Sequence, residues 1–147
     1  MFDPNAGIII FDSPRFEIGP RLTRADFSCS PVFDQAALLA KNEPWCSWNL
    51  KGLKLGEDLF VATLFFYGDQ IKMLELANAS PEFGTTWNDY SQEKELLRKK
   101  FHDQWISRNL AGRSDYSWGT IDSVLDPRAG SSFIMITYNP TATKHLR

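Results

Sequence analysis

The sequence predicts an α+β domain in which one long helix packs on one face of a mainly antiparallel sheet of about five to seven strands. Two observations support this prediction. Several apolar or alternating segments are joined by short turns, and a single long helical segment precedes the last hairpin. We expect residues 1–147 to form one domain, because this length is typical of single domains. The segment 139–147, which begins with Asn139-Pro140, is predicted to be a flexible tail.

The first part of the chain is predicted to hold short elements. Residues 7–11 and 15–18 have the β-branched, aromatic or alternating character of strands. Thr23 is expected to begin a short helix by accepting a hydrogen bond from the amide of Asp26. The segment 34–41, with its run of Ala and Leu, is predicted to add another helical turn or two.

Residues 45–55 alternate in part and are predicted to form a strand. Trp45 and Trp48 lie on opposite faces of this strand, because their separation in sequence is odd. Both can be buried only if the strand is covered on both sides. An exposed tryptophan would otherwise mark a surface for a partner or ligand.

Residues 59–67 are almost wholly apolar, which is typical of a central strand covered on both faces. Gly68-Asp69 then predicts a two-residue hairpin turn, because glycine readily supplies a positive φ. Residues 70–77 are expected to form the returning strand. A second hairpin is predicted at the end of the chain, with 126–130 as its turn.

Residues 91–110 are predicted to form the one long helix, capped by Asp89 or Ser91. Glu95 and Lys99 are spaced for an i, i+4 ion pair. The apolar row predicted for this helix consists of Leu97, Phe101 and Trp105.

Composition argues against several classes of protein. The net charge is −2, and no basic block is longer than Arg98-Lys99-Lys100, so we expect no nucleic-acid binding. The apolar runs are too short for a signal peptide or a membrane span, so we expect a cytoplasmic protein with no membrane partner. Cys29 and Cys46 are expected to be buried thiols, with a disulfide between them as the alternative.

We predict no catalytic residues, no metal site and no cofactor. His102 and His145 lack the spacing of metal ligands, and no serine stands in a nucleophile-elbow pattern. The alternative is a small hydrolase or ligand-binding enzyme that uses Asp122 with His102 or a nearby serine.

The 78–90 loop is the predicted binding site. Loops on rigid scaffolds commonly carry function, and this one combines aromatic anchors with acids that would favour a basic partner. The alternative is that Phe83 and Trp87 fold inward and cap the core beside Trp105. The predicted binding residues are Glu82, Phe83, Trp87, Asn88, Asp89 and Tyr90.

Three stretches of the chain resemble a group of small uncharacterised bacterial proteins. They are Trp118 to Ser123 followed by Asp126 to Ser132 and Ile134, Ile136 and Tyr138; Leu22-Thr23-Arg24; and Gly84, Thr85 and Trp87 before the acidic helix start. Such small acidic proteins resemble the immunity proteins of bacterial toxin systems, which bind and block a toxin. The resemblance assigns no functional residue.

We therefore expect a non-enzymatic protein-binding module, with a toxin-neutralising immunity protein as its specific form. Its partner would then be a protein, namely the toxin. A structural or assembly subunit is the remaining alternative to the enzyme named above. The sequence leaves the oligomeric state open.

Overall fold

A computed structural model describes residues 1–84, 86–110 and 112–140, apart from the side chain of Trp87. The fold is α+β, as predicted, with two antiparallel sheets and one long helix. In chain order the strands are β1 (Phe2–Asp3), β2 (Ile8–Asp12), β3 (Arg15–Ile18), β4 (Ala37–Asn42), β5 (Trp45–Leu55), β6 (Asp58–Tyr67), β7 (Gln70–Asn78), β8 (Asp115–Tyr116), β9 (Gly119–Asp126) and β10 (Ser131–Tyr138). The helices are α1 (Arg24–Ser28) and α2 (Gln92–Leu110), and 3-10 turns cover Pro31–Gln35, Pro81–Phe83 and Trp87–Asp89.

Hairpin turns organise the larger sheet, whose strand order is β4-β5-β6-β7-β10-β9-β8. The predicted turn at Gly68-Asp69 is confirmed, and Gly68 has the positive φ of 59° that the turn requires. The predicted turn at 126–130 is confirmed between β9 and β10. Strands β1, β2 and β3 form a separate three-stranded sheet.

The helix starts follow the predicted caps. The Asp26 amide donates to the Thr23 hydroxyl at 3.0 Å, which begins α1. The Lys94 amide donates to the Ser91 hydroxyl at 3.0 Å, so Ser91 caps α2. Each cap satisfies one of the amides that a helix start leaves without a partner.

The core lies on one face of the seven-stranded sheet. Helix α2 covers β7, β9 and β10, while the small sheet and α1 cover β5 and β6. The Phe27 ring from α1 stacks on Phe66 with centroids 5.6 Å apart. The Trp105 ring from α2 meets Phe60 edge-on at 6.3 Å. Side chains from all these elements form a single hydrophobic cluster.

The predicted helical turns at 34–41 are wrong for most of that segment. A 3-10 turn covers Pro31–Gln35, and the following residues form β4 on the edge of the large sheet. Strand β4 pairs with β5 from Ala37 opposite Asn49 to Asn42 opposite Trp45. Pairing with a neighbouring strand here overrides the helical preference of Ala and Leu, because tertiary context commonly outweighs intrinsic propensity.

Within the described part of the chain, other elements cover only one face of strand β6, so these residues do not confirm the prediction of a doubly covered strand. Phe66 is fully buried against α1, but the next side chain along the strand, Phe65, is outside the core cluster. Trp45 and Trp48 lie on opposite faces, as predicted. Trp45 is exposed, whereas Trp48 packs against the core.

The buried side of α2 differs from the predicted row. Leu97 is 50% exposed, Phe101 is half-buried and Trp105 is buried. Glu95 and His102 take buried positions instead, because polar partners on the sheet receive them. Glu95 therefore pairs with Arg98, and Lys99 pairs with Asp103.

Two smaller expectations concern the cysteines and the tail. Both cysteines are free, and Cys46 is buried as expected, but Cys29 is exposed. Asn139, the first residue of the predicted tail, is anchored, because its amide donates to the Trp118 carbonyl at 2.8 Å. The rest of that prediction, from 141 onwards, lies outside the described residues.

Candidate binding site

The six predicted binding residues have different environments. Glu82, Asn88 and Tyr90 are exposed, while Phe83 and Asp89 are half-buried. The side chain of Trp87 lies outside the description, so its predicted role stays a prediction.

Two of these residues shape the loop itself. The Asp89 carboxylate accepts hydrogen bonds from the Thr86 amide at 2.8 Å and the Thr86 hydroxyl at 3.1 Å. The Phe83 ring packs against Phe101 of α2 with centroids 5.9 Å apart. Phe83 thus contacts α2, but it stays half-buried and outside the core cluster, so the alternative in which it caps the core beside Trp105 stays a prediction.

Tyr90 ties the loop to the last hairpin. Its hydroxyl donates to the Gly130 carbonyl at 3.1 Å. A Cβ atom at position 130 would lie 2.4 Å from that hydroxyl, and Gly130 has a φ of +66°. Both the positive φ and the closeness of the tyrosine therefore favour glycine in this turn.

A groove of about 350 Å³ lies between the loop, the ends of the central strands and the last hairpin turn. We call this cavity the groove. Val61 and Ala77 line the groove on the side of the sheet, and Glu95 and Arg98 line it on the side of α2. Its other lining residues are Asn78, Ala79, Phe83, Gly84, Thr86, Tyr90, Ala129 and Ser131. Tyr90 is thus both a predicted binding residue and a wall of the groove.

Arg98 holds the base of the loop. Its Nε donates to the Asn78 carbonyl at 3.0 Å, and one Nη2 contact reaches the Phe83 carbonyl at 2.9 Å. Nη2 also contacts the Gly84 carbonyl, and Nη1 pairs with the Glu95 carboxylate. These contacts use most of the donors of the guanidinium, so Arg98 orders the backbone of the loop and is not arranged to receive an anion.

Glu95 completes this arrangement from the first turn of α2. Its side chain is almost fully buried, and its Oε1 accepts from the Ser132 amide of β10 at 2.9 Å. The carboxylate is therefore satisfied by an ion pair and a backbone amide, as a buried charge requires.

His102 is the fully buried polar residue below the groove. Its Nε2 accepts a hydrogen bond from the backbone amide of Asn78 at 3.1 Å, and its Nδ1 lies 2.9 Å from the Ser132 hydroxyl. A backbone amide can only donate, so Nε2 carries no proton and Nδ1 donates to Ser132. Burial, with a smaller contribution from Arg98, lowers the pKa of His102 to about 4. The ring is therefore neutral near pH 7.

The polarity of this Ser–His contact opposes the hydrolase alternative. A general base must accept the proton of the serine hydroxyl, whereas His102 donates to that hydroxyl. Neither His102 nor Ser132 lines the groove. Asp122, the third candidate, pairs with Met135 on the opposite face of the sheet from α2.

The second face of the sheet carries a surface that the sequence prediction missed. We call it the open face, because its side chains lie outside the core cluster. The residue pairing places Thr63, Glu75, Met135 and Asp122 in one row across β6, β7, β10 and β9. The open face consists of Val61, Thr63, Phe65, Met73, Glu75, Ala77, Asp122, Val124, Phe133 and Met135. The apolar character of 59–67 on both faces was the signal for it.

Two carboxylates flank the centre of the open face. Glu75 and Asp122 pair with Met135 from its two sides. Burial raises the pKa of Glu75, and the nearby negative charge of Asp126 raises it further. The open face is thus apolar with an acidic centre, and Val61 and Ala77 connect it to the groove.

Comparison with known proteins finds no matching family, no matching curated protein and no matching solved structure. In the described part of the chain, no helix is both long enough and apolar enough to cross a membrane.

Proposed function

We propose that this chain is a non-enzymatic protein-binding module, and that its specific form is an immunity protein that neutralises a toxin. The observation that carries the proposal is the groove beside a loop whose backbone is held from below by Arg98. Glu82, Asn88 and Tyr90 are exposed on this ordered loop. A loop that is ordered before binding loses little conformational freedom in a complex.

The chemistry below the groove supports binding rather than catalysis. His102 donates to Ser132, so this pair supplies no activated nucleophile. Arg98 is already bound to carbonyl groups and to Glu95, so it does not offer a free cation to a substrate. The toxin as partner comes from the resemblance to immunity proteins, and the acidic loop residues suit a toxin with a basic surface.

Co-expression with the product of the adjacent gene tests this proposal. We expect that product to arrest growth when expressed alone and to be harmless when this chain is present. Purified samples should form a complex that is measurable by titration calorimetry. If the product of the adjacent gene is neither toxic nor bound by this chain, the proposed immunity function is wrong.

Loop variants test where the complex forms. Glu82→Lys should weaken binding of that toxin about tenfold, since it reverses an exposed charge at the proposed contact. Glu17→Lys, on β3 of the small sheet, is the matched control, because it makes the same change at an exposed strand position. Equal losses for both variants would place the contact elsewhere.

A further inference from the structure

We propose that the open face, together with the groove, is the docking surface for a basic protein segment that carries apolar side chains. This inference rests on the proposed function and specifies the chemistry of the partner. It is based on an apolar sheet face that no described element covers and on two carboxylates at its centre that lack a described cation.

The apolar part of the open face is continuous across four strands. Phe133 pairs with Val124, and Phe65 pairs with Met73, so large side chains lie on both sides of the Glu75–Met135–Asp122 row. The core cluster and the residues packed against it contain none of these side chains. These large side chains are half-buried by their neighbours within the sheet. A contiguous apolar surface that solvent can still reach often marks an interaction site.

The dimensions of the open face indicate how a partner would lie on it. Four strands at a spacing of about 4.8 Å, with five residues along two of them and three along the other two, give a patch on the order of 250 Å². A standard interface buries about 800 Å² per partner, so the open face alone is too small. Val61 and Ala77 lead directly into the groove, and the combined surface extends to the exposed loop residues.

The negative charge at the centre of the open face favours a positively charged partner. The described salt bridges involve other residues, namely Arg24, Lys41, Glu43, Glu95, Arg98, Lys99 and Asp103. Within the described chain, Glu75 and Asp122 are therefore not neutralised by any of these cations. A second copy docked on the same face would place like carboxylates against each other, and nucleic acid or anionic lipid would be repelled. A lysine or arginine from a protein segment would instead pair with them as the apolar side chains are buried.

The state of Glu75 supports this selection. Its pKa is raised by burial and by Asp126, so the ionised form is disfavoured in the free chain. A partner cation placed above the row would relieve that penalty, because an opposite charge favours the ionised carboxylate. Binding should therefore weaken as pH falls and Glu75 becomes protonated.

Two synthetic helical peptides of about 18 residues, roughly 27 Å long, serve as probes. Both carry a leucine face, which is bordered by lysine in one and by glutamate in the other. Fluorescence anisotropy with the full chain should show at least about tenfold tighter binding of the lysine peptide. Equal affinities for the two peptides would overturn the inference.

Charge-reversal variants locate the contact. Glu75→Lys and Asp122→Lys should each lower the affinity for the lysine peptide by about fivefold to tenfold and raise the affinity for the glutamate peptide. The matched control Glu17→Lys changes net charge equally and should alter either affinity less than about twofold. If Glu75→Lys fails to fold, Asp122→Lys decides, because Asp122 is exposed. Losses no larger than those of Glu17→Lys would overturn the inference.

The outcome is separable from the proposed function. The chain can neutralise the toxin, and Glu82→Lys can lower toxin affinity, while the two peptides bind equally well. In that case only the proposed docking surface is wrong. Conversely, peptide selection without any bound toxin would keep the docking surface and remove the immunity function.

Discussion

The two faces of the seven-stranded sheet use the same strands but have different surroundings. On the covered face, Phe66, Leu74 and Ile134 meet helices and the small sheet and are fully buried. On the open face, Phe65, Met73 and Phe133 have sheet neighbours but lie outside the core cluster. Apolar content alone therefore does not identify the core of this protein. What distinguishes the faces is which other elements pack against them.

Neighbouring phenylalanines on β6 give the sharpest test of this comparison. Phe66→Ala should lower the free energy of unfolding by about 3–5 kcal/mol, because it leaves a cavity beneath α1. Phe65→Ala should cost about 1 kcal/mol or less, because its side chain lies outside the core. Urea denaturation of both variants measures the difference. Similar losses would mean that the open face is covered in the folded chain.

The buried polar group on the covered face predicts the next largest effect. The pKa of His102 is lowered from 6.5 to about 4, so the unfolded chain binds this proton at higher pH than the folded chain does. Stability from this group is present above pH 6.5 and is lost as pH falls toward 4, by about 3 kcal/mol in all. His102→Gln should remove this part of the pH dependence. Chemical denaturation between pH 4 and 7 checks it, and identical pH profiles would contradict a buried neutral imidazole.

The tether between the loop and the last hairpin predicts a smaller loss. Tyr90→Phe removes the hydrogen bond to the Gly130 carbonyl and should cost about 0.5–1 kcal/mol. Tyr67→Phe is the control, because the two tyrosines have similar exposure, 42% and 45%. A shift in the denaturation midpoint for Tyr90→Phe alone would confirm that the tether contributes to stability. Equal shifts would argue against it.

The Glu75 carboxylate on the open face predicts the smallest change in the free energy of unfolding, and this change is a gain rather than a loss. Because the pKa of Glu75 is raised in the folded chain, its contribution to stability is present at low pH and is lost as pH rises through that pKa. Glu75→Gln should therefore slightly stabilise the free chain near pH 7. Thermal unfolding beside the control Glu17→Gln measures this gain. A destabilised Glu75→Gln variant would show that the carboxylate has a structural partner.

Local features of the fold could be predicted from the sequence. The Gly68 turn and the Thr23 and Ser91 caps depend on contacts within a few residues, and all three are confirmed. Strand β4 was mistaken for helix because its structure depends on β5, which follows it in the chain. The sequence of β4 alone carries no sign of that pairing.

The candidate site was predictable in part. The position of the 78–90 loop between β7 and α2 follows from its sequence, but the contacts beneath it do not. In the sequence, Arg98 was considered only as part of a short basic run, whereas its partners are backbone carbonyls 14 to 20 residues away. His102 reaches Ser132 across 30 residues. Contacts of this range depend on tertiary packing that residue spacing does not reveal.

The way Arg98 holds the loop has a consequence for sequence variation. Its loop contacts are to the carbonyls of Asn78, Phe83 and Gly84, and every residue type supplies a carbonyl. Exposed positions such as Glu82 and Asn88 can therefore change without loss of the bonds that shape the backbone. Related chains that keep Arg98 and Glu95 could diversify these positions freely. The protein thus separates the residues that maintain its architecture from those whose side chains can vary.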